Sequence, residues 1–494
     1  YEPRLVNDFT PVEPPKTTKE GKEYHLTTDL ADNAISWLNQ HKAFAADKPF
    51  LLYFAPGAGH APHHIMKEWA DKYKGKFDDG WDAYREKTFK RQKELGVIPA
   101  NTKLTPRDKT QPSWESIPQS ERAFQTRLME VFAGFVEHAD MEIGRVLKTI
   151  EDNGQKENTL VFFIWGDNGS SAEGQNGSIS ELLAQNGVSN TIQDQMAALD
   201  KVGGLDALGG PFLENNYHAS WAWAGNTPFK YTKLIASHFG GTQNMMVVSW
   251  PKGIKSDKIY RQQFHHVNDI VPTIYDVLNI TPPKMVNGIK QMKIDGVSMK
   301  YTFANPKAPE VSKTQFFDNN GSRGVYKDGW YACTFGPLYP WIPAQPGLDK
   351  WDSTKDVWES YNIKEDFSQF NNLAAKNPEK LKELQGIYSQ EAKDNLAFPE
   401  GAGIWLRLHP EDVIASPYTS WTFDENTERM PEFSAPGLGK RSTKVVIDME
   451  VKDNTSGVLF AMGGDGGGVT CFMENGKLFF EYNMLIIERY FSTD

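Results

Sequence analysis

Apolar positions recur along this chain in two rhythms. Between Glu121 and Asn153 they fall at helical spacing, at Phe132, Phe135, Val136, Ala139, Ile143, Val146, Leu147 and Ile150. That spacing collects them on one face of a long helix. Gly154 follows, as glycine often does just past a helix end. A shorter stripe, Leu30, Ala34, Trp37 and Leu38, predicts a helix in LTTDLADNAISWLNQHKAF with Thr27 or Thr28 as its cap. Ile270, Ile274, Val277 and Leu278 predict another in HHVNDIVPTIYDVLNI. Short helices are predicted around IMKEWADKYK and YREKTFKRQKEL, and a polar one near NPEKLKELQGIYSQEA.

The second rhythm is the uninterrupted apolar run. Buried strands are predicted at 49–55, 159–165 and 245–250. Strands alternating with helices define an α/β protein, a mostly parallel sheet flanked by helices. Residues 172–225, rich in Gly, Asn and Ser, read as a long excursion rather than core, Trp221 and Trp223 included. Hairpin character appears in FDNNGSRGVYKDGWYACTF. From about residue 420 the pattern changes to short strands, KVVIDMEV, GVLFAMG, VTCFME and KLFFEYN. Asn475-Gly476 between the last two is a type I′ hairpin signal. The expected organisation is a catalytic-type domain over 1–299, a smaller subdomain over 300–415, and a terminal antiparallel β-module over 420–494.

Composition narrows the function. A net charge of −11 on 494 residues, with no dense basic run, argues against a nucleic-acid partner. No apolar run approaches the roughly 18 residues of a membrane span, so no membrane partner is expected. No signal peptide is visible, and the chain opens at Tyr1, which reads as a processed chain or a fragment. The two cysteines, Cys333 and Cys471, sit in apolar contexts and read as buried thiols. Their number argues against a disulfide framework or a cysteine-based metal site.

Chemistry concentrates at strand ends, where α/β proteins bind ligands. GDNGS, residues 166–170, puts Asp167 and Asn168 just past an apolar run. Carboxylate and amide oxygens suit Ca²⁺ or Mg²⁺, although Asp-Asn-Gly is also good turn chemistry. GAGHAPHH offers His60, His63 and His64 past another run; such a histidine can be a general acid or a plain polar loop residue. Lys233, in TPFKYTK before SHFGG, can hold an anion or simply be solvated. Asp269 and Arg323 read as structural, and Asp78-Asp79 as a solvated turn.

Together these segments carry a resemblance. FAPGAGHAPHH, GDNGS after an apolar strand, NTPFKYTK…GG, HHVNDIVPTIYDV and SRGVYKDGWYACT occur in this order. The chain resembles bacterial arylsulfatases of the sulfatase family, in the alkaline-phosphatase-like superfamily, over nearly its whole length. The resemblance implies an alkaline-phosphatase-like fold and hydrolysis of a sulfate ester to an alcohol or phenol plus sulfate. It implies that Asp167 and Asn168 are metal ligands, usually for Ca²⁺, that His60 contacts the ester oxygen and helps the leaving group depart, and that Lys233 binds sulfate oxygens. It gives His63 and His64 no role. The implied partner is a small-molecule or carbohydrate sulfate ester, and the implied location the periplasm or outside the cell.

The family's nucleophile is a formylglycine made from the first residue of Cys-x-Pro-x-Arg or Ser-x-Pro-x-Arg. Neither motif occurs in this sequence. The family's Asp-Asp metal pair and Lys-x-His segment are missing as well. The expectation is an N-terminally truncated sulfatase whose nucleophile and remaining Ca²⁺ ligands lie upstream, and which alone is inactive. Two alternatives stand beside it. One is a phosphodiesterase or phosphonate hydrolase of the same superfamily. The other is a non-catalytic binder of sulfated carbohydrate, for which the 14 Trp would suit sugar stacking.

Overall fold

The computed structural model describes residues 3, 5–17, 21, 23–185, 188, 191–255, 259–342, 345–401, 418–424, 427, 430, 435–436, 442–464, 467–484 and 488–493. The chain divides into two compact units, Tyr1–Gly403 and Ile404–Asp494. The expected boundary between 415 and 420 adjoins residues 402–417, which lie outside the described residues.

The helical periodicity is realised closely. The long helix runs Gln119–Asp152, and Gly154, at φ 70°, turns the chain out of it. Its apolar face buries Phe124, Leu128, Val131 and Phe135 in the main core with Trp81, Trp114 and Trp221. Farther along, Val146 and Ile150 pack against Ala31, Ala34 and Leu38 of the Leu26–Phe44 helix. The cap of that helix is not a threonine: the His25 side chain accepts from the backbone N–H of Thr27.

The strands depart further from expectation. Residues 49–55 form no ladder among the described residues. Phe50, Leu52 and Phe54 pack on the Ala31–Ile150 cluster, while Leu51 and Tyr53 are 81% and 90% exposed. An extended segment with one packed face shows this alternation, since successive side chains point to opposite sides. Val161–Ile164 pairs with Met246–Ser249, and the register, Val161↔Ser249 to Ile164↔Met246, is antiparallel. With one ladder neighbour the strand is only half-buried, and Ile164 is exposed. The parallel pairing expected here is therefore absent from the named strands among the described residues.

The 172–225 segment corrects a second expectation. It contributes core: the Ala219–Gly225 helix is buried along most of its length, with Trp221 and Trp223 at 1% and 5% exposure. Trp221 meets Trp81 edge-on, with ring centroids 5.6 Å apart. The Gly, Asn and Ser content disguised this, because the buried helix is only seven residues long.

A four-stranded antiparallel sheet follows, Thr314–Asn319, Ser322–Lys327, Trp330–Thr334 and Glu359–Asn362, backed by the Pro378–Asp394 helix. The second unit carries an antiparallel meander, Gly457–Gly464, Gly467–Glu474, Lys477–Met484 and Glu488–Thr493. Its Asn475-Gly476 turn has both residues at positive φ, 49° and 78°, as a type I′ hairpin requires. The expected strand KVVIDMEV, 444–451, forms no ladder among the described residues.

Candidate active site

Three loops meet beyond the Val161–Ile164 strand: 166–171, then 226–241, which carries Lys233, and the loop that carries His60. The first is Gly166–Ser171. Gly166 has φ 77°, a left-handed conformation that costs glycine little, and it turns the chain sharply as the strand ends. Gly169 is packed backbone to backbone: a Cβ there would lie 1.8 Å from the Gly240 carbonyl oxygen. Its N–H donates to Gly241 O at 2.9 Å, and Ser170 O accepts from the N–H of Lys233 at 3.0 Å. The Asn226 amide ties the second loop to the first. It accepts from Ser170 N–H at 2.9 Å and donates to Tyr231 O at 3.0 Å. The two loops are thus joined through main chain and one amide.

The Lys233 loop is itself constrained. Tyr231 and Leu234 sit at φ 66° and 77°, where bulky residues are uncommon. Such strain persists only when the surroundings over-determine it. Those surroundings include Arg85, 1% exposed, whose guanidinium donates to the carbonyls of Thr105, Trp223, Pro228 and Phe229. Burial pulls the Arg85 pKa down to about 9, against the nearby charge of Asp82.

Lys233 Nζ lies 3.0 Å from His60 Nε2 and 2.9 Å from Glu173 Oε2. His60 Nδ1 is 2.6 Å from Ala61 O, so that nitrogen carries the hydrogen and Nε2 faces Lys233 with its lone pair. The Lys233 and Glu173 side chains are 18% and 20% exposed. Burial raises the Glu173 pKa, but hydrogen bonds from Lys233 and from Ser171 Oγ outweigh it and hold the group below its ordinary value. Glu181 behaves oppositely: burial, then the charge of Glu173, pushes it up.

The fold therefore brings His60 and Lys233 into contact across 173 positions of sequence. Asp167 and Asn168 reach Lys233 through the backbone of their shared loop; Asp167 is exposed and Asn168 half-buried. His63 and His64 have structural jobs. His63 is buried among Phe132, Phe135 and Tyr217, and burial pulls its pKa down to about 3. His64 Nε2 sits 2.7 Å from Leu213 O. Asp78 and Asp79 are exposed, and Asp79 pairs with Lys87. Arg323 is buried with Asp356 at 2.7 Å. Glu173 was missed from the sequence. Its signal was a lone acid three residues past GDNGS, which only the loop's curl makes relevant.

Asp167 and Asn168 offer a carboxylate and an amide oxygen, the right donor types for Ca²⁺. They are two of the roughly six to eight oxygens such an ion takes. Among the described residues, Asp167 belongs to no group of three His, Cys, Asp or Glu ligands. The pair fits a hard cation in type without completing its shell.

A strand-end loop carrying hard oxygen donors, joined to a lysine and a histidine, defines a candidate anion site on an α/β frame. The Sulfatase family model matches residues 3–280, and the chain belongs to that family, with its alkaline-phosphatase-like α/β fold. It is 28% identical over 397 residues to an uncharacterised sulfatase of Schizosaccharomyces pombe, covering 78% of this chain and 66% of that protein. It is 27% identical over 290 residues to the arylsulfatase of Klebsiella aerogenes, covering 57% of this chain and 58% of that protein. The chain thus spans less than two thirds of each of these relatives. Among solved structures, BT4656 in complex with its substrate D-glucosamine-2-N,6-O-disulfate aligns at 15% identity and a TM-score of 0.44, over 80% of this chain and 73% of that one.

Proposed function

We propose that this chain supplies the anion-binding and leaving-group half of a sulfuric ester hydrolase of the arylsulfatase type. The observation that carries the reading is the contact of Lys233 with His60 beside the GDNGS loop. A sulfate monoester is an anion that repels nucleophiles, and a fixed cation lowers that barrier by meeting the charge on the sulfate oxygens. Lys233 takes that role. To do so it exchanges Glu173 for sulfate, a like-for-like swap of one oxyanion for another. His60 Nε2 then faces the ester oxygen; its lone pair takes up a proton from solvent or from Lys233 and passes it to the departing alcohol or phenol.

Asp167 and Asn168 would hold two positions of a Ca²⁺ ion, which when bound neutralises sulfate charge. The attacking group is a formylglycine hydrate. No residue of these 494 stands in the motif that yields one, so the chain alone is expected to bind an aryl sulfate without turning it over. The substrate class is a small-molecule or carbohydrate sulfate ester, a class that includes the ligand of BT4656. No described helix is long and apolar enough to cross a membrane. The proposed location is the periplasm or outside the cell.

Calorimetric titration with 4-nitrophenyl sulfate tests the reading. Binding to the parent chain, lost in Lys233→Ala and weaker for 4-nitrophenyl phosphate, supports it. Equal binding by Lys233→Ala, or a preference for the phosphate, defeats it. Release of 4-nitrophenol by the unaltered chain would refute the expected inactivity.

A further inference from the structure

A second cluster of ligand-type side chains lies apart from the Asp167 loop. His238, Cys333 and Glu359 bring one imidazole nitrogen, one sulfur and one carboxylate oxygen within 4.8 Å of one another. Cys333 and Glu359 are directly opposed Cα partners on the neighbouring strands Trp330–Thr334 and Glu359–Asn362. Opposed residues project from the same face of a sheet, so this pair is held rigidly. His238 comes from the SHFGG turn and places Nε2 3.3 Å from Glu359 Oε2.

The surroundings orient these groups. Ser237 Oγ lies 2.8 Å from His238 Nδ1, and Ser322 Oγ donates to Ser237 Oγ at 3.0 Å. That chain engages one ring nitrogen and leaves the other facing the cluster, as the outer partners of metal-bound histidines do. Tyr231 packs edge-on against the His238 ring at 4.7 Å, and Tyr331 and Tyr361 share one buried apolar cluster with Cys333. Tyr361 donates to Glu359, and Lys230 Nζ is 3.2 Å from the Tyr361 hydroxyl. His238 and Cys333 are buried, whereas the Glu359 side chain is 33% exposed, which gives an ion a way in and room for a water.

We propose that His238 Nε2, Cys333 Sγ and Glu359 form a three-ligand site for a borderline-soft divalent cation, of which Zn²⁺ is the best match. Nitrogen, sulfur and a single carboxylate select Zn²⁺ over Ca²⁺, which takes oxygen alone. One cysteine suffices because histidine and glutamate supply the rest, so the low cysteine count does not forbid the site. Zn–S and Zn–N bonds of about 2.3 and 2.0 Å require ligand atoms roughly 4 Å apart or less, so small rotamer shifts close the shell. On binding, the thiol proton leaves to solvent. The thiolate and carboxylate together balance the charge of the ion. The His238–Glu359 contact is replaced by bonds from each group to the metal. The ion would pin the SHFGG turn, whose His238 lies five residues beyond Lys233, to the antiparallel sheet.

The test uses Co²⁺ alone on the full chain after chelator treatment and dialysis. The expected result is a thiolate-to-cobalt charge-transfer band that saturates at one ion per chain and is displaced by Zn²⁺. The band persists in Cys471→Ser and vanishes in Cys333→Ser. Ser237→Ala keeps all three ligands and weakens Zn²⁺ binding by roughly ten- to a hundredfold. Glu359→Gln, at a partly exposed position, weakens it too and guards against a Cys333 variant that does not fold. No band in the parent chain, a band surviving Cys333→Ser, or unchanged affinity in both Ser237→Ala and Glu359→Gln overturns the proposal.

Discussion

Replacing Asp269 is expected to loosen the unit that carries the candidate site. The carboxylate is fully buried. One oxygen accepts from Lys313 Nζ and from the N–H of Val297 at 2.8 Å. The other accepts from the N–H of His266 at 2.9 Å, with His265 Nδ1 at 3.4 Å. Asp269→Ala strips all of these at once. Leaving a buried charge such as Lys313 without its partner costs about 3–5 kcal/mol. Each orphaned buried N–H costs about 1–3 kcal/mol on its own. The terms overlap, because Asn268 Oδ1 remains 3.1 Å from Lys313 Nζ. The expected loss is about 4 kcal/mol, with about 2 for Asp269→Asn, which keeps one acceptor oxygen.

Hydrogen exchange across the Ile270–Leu278 helix and the Val297–Met299 segment reads this locally. Local measurement is preferable because a chain of two units need not unfold in one step. A loss of about 4 kcal/mol appears as roughly thousandfold faster exchange. Adding Lys313→Met to Asp269→Asn removes the stranded cation and should recover part of the loss. Acid gives an independent check. Burial raises the Asp269 pKa, but hydrogen bonds from His265, Lys313 and two backbone N–H groups override it and hold the group at about 2. A carboxylate held low in the folded state stabilises fully above its unfolded pKa of about 3.9. That contribution fades as pH falls through about 2. Exchange less than about tenfold faster in Asp269→Ala, or no recovery in the double variant, would refute the assignment of Asp269 as a buried anchor.

Two further outcomes are expected. Gly169→Ala puts a Cβ 1.8 Å from Gly240 O, so the two loops must part. Thermal melting should fall and 4-nitrophenyl sulfate binding should drop; a variant that keeps both shows the loops are not locked together. Glu173→Gln removes the carboxylate paired with Lys233, which on the proposed reading sulfate would displace. For a half-buried pair worth about 1 kcal/mol, calorimetry should show aryl sulfate binding about fivefold tighter near neutral pH. The gap between the two chains should narrow in acid, as the parent's Glu173 protonates below its ordinary range. Weaker binding in Glu173→Gln would mean that the acid orients Lys233 rather than competing for it.

Much of the helical structure was legible because the long helix signals itself locally. Phe132 to Ile150 repeat along one face whatever lies elsewhere in the chain. The Asn475-Gly476 turn is local in the same way. Strand pairing is not. Residues 49–55 and Val161–Ile164 both look like buried strands, yet whether such a run finds a ladder depends on neighbours far away in sequence, and only the second does among the described residues. His60, Lys233, Asp167 and Asn168 stand out as polar groups near the ends of apolar runs, and only the motif resemblance gives them proposed roles. Glu173 and Asn226 carry no motif of their own, and only the meeting of the loops reveals them. The seven-residue helix that buries Trp221 is too short for its period to stand out among glycines and serines.

The Gly169–Gly240 contact has a consequence for how such a site can change. The main chains there touch with no side chain between them, and two hydrogen bonds, Gly169 N–H to Gly241 O and Lys233 N–H to Ser170 O, tie them further. The spacing between the acidic loop and the lysine loop is therefore a property of the peptide backbone. Substituting Asp167, Asn168 or Lys233 alters which groups are presented and leaves the distance between their anchor points alone. Directed evolution toward bulkier or smaller sulfate esters would find no continuous dial at this seam. Variants that succeed should keep both Gly169 and Gly240, because a Cβ at either would lie 1.8 or 1.9 Å from a carbonyl oxygen.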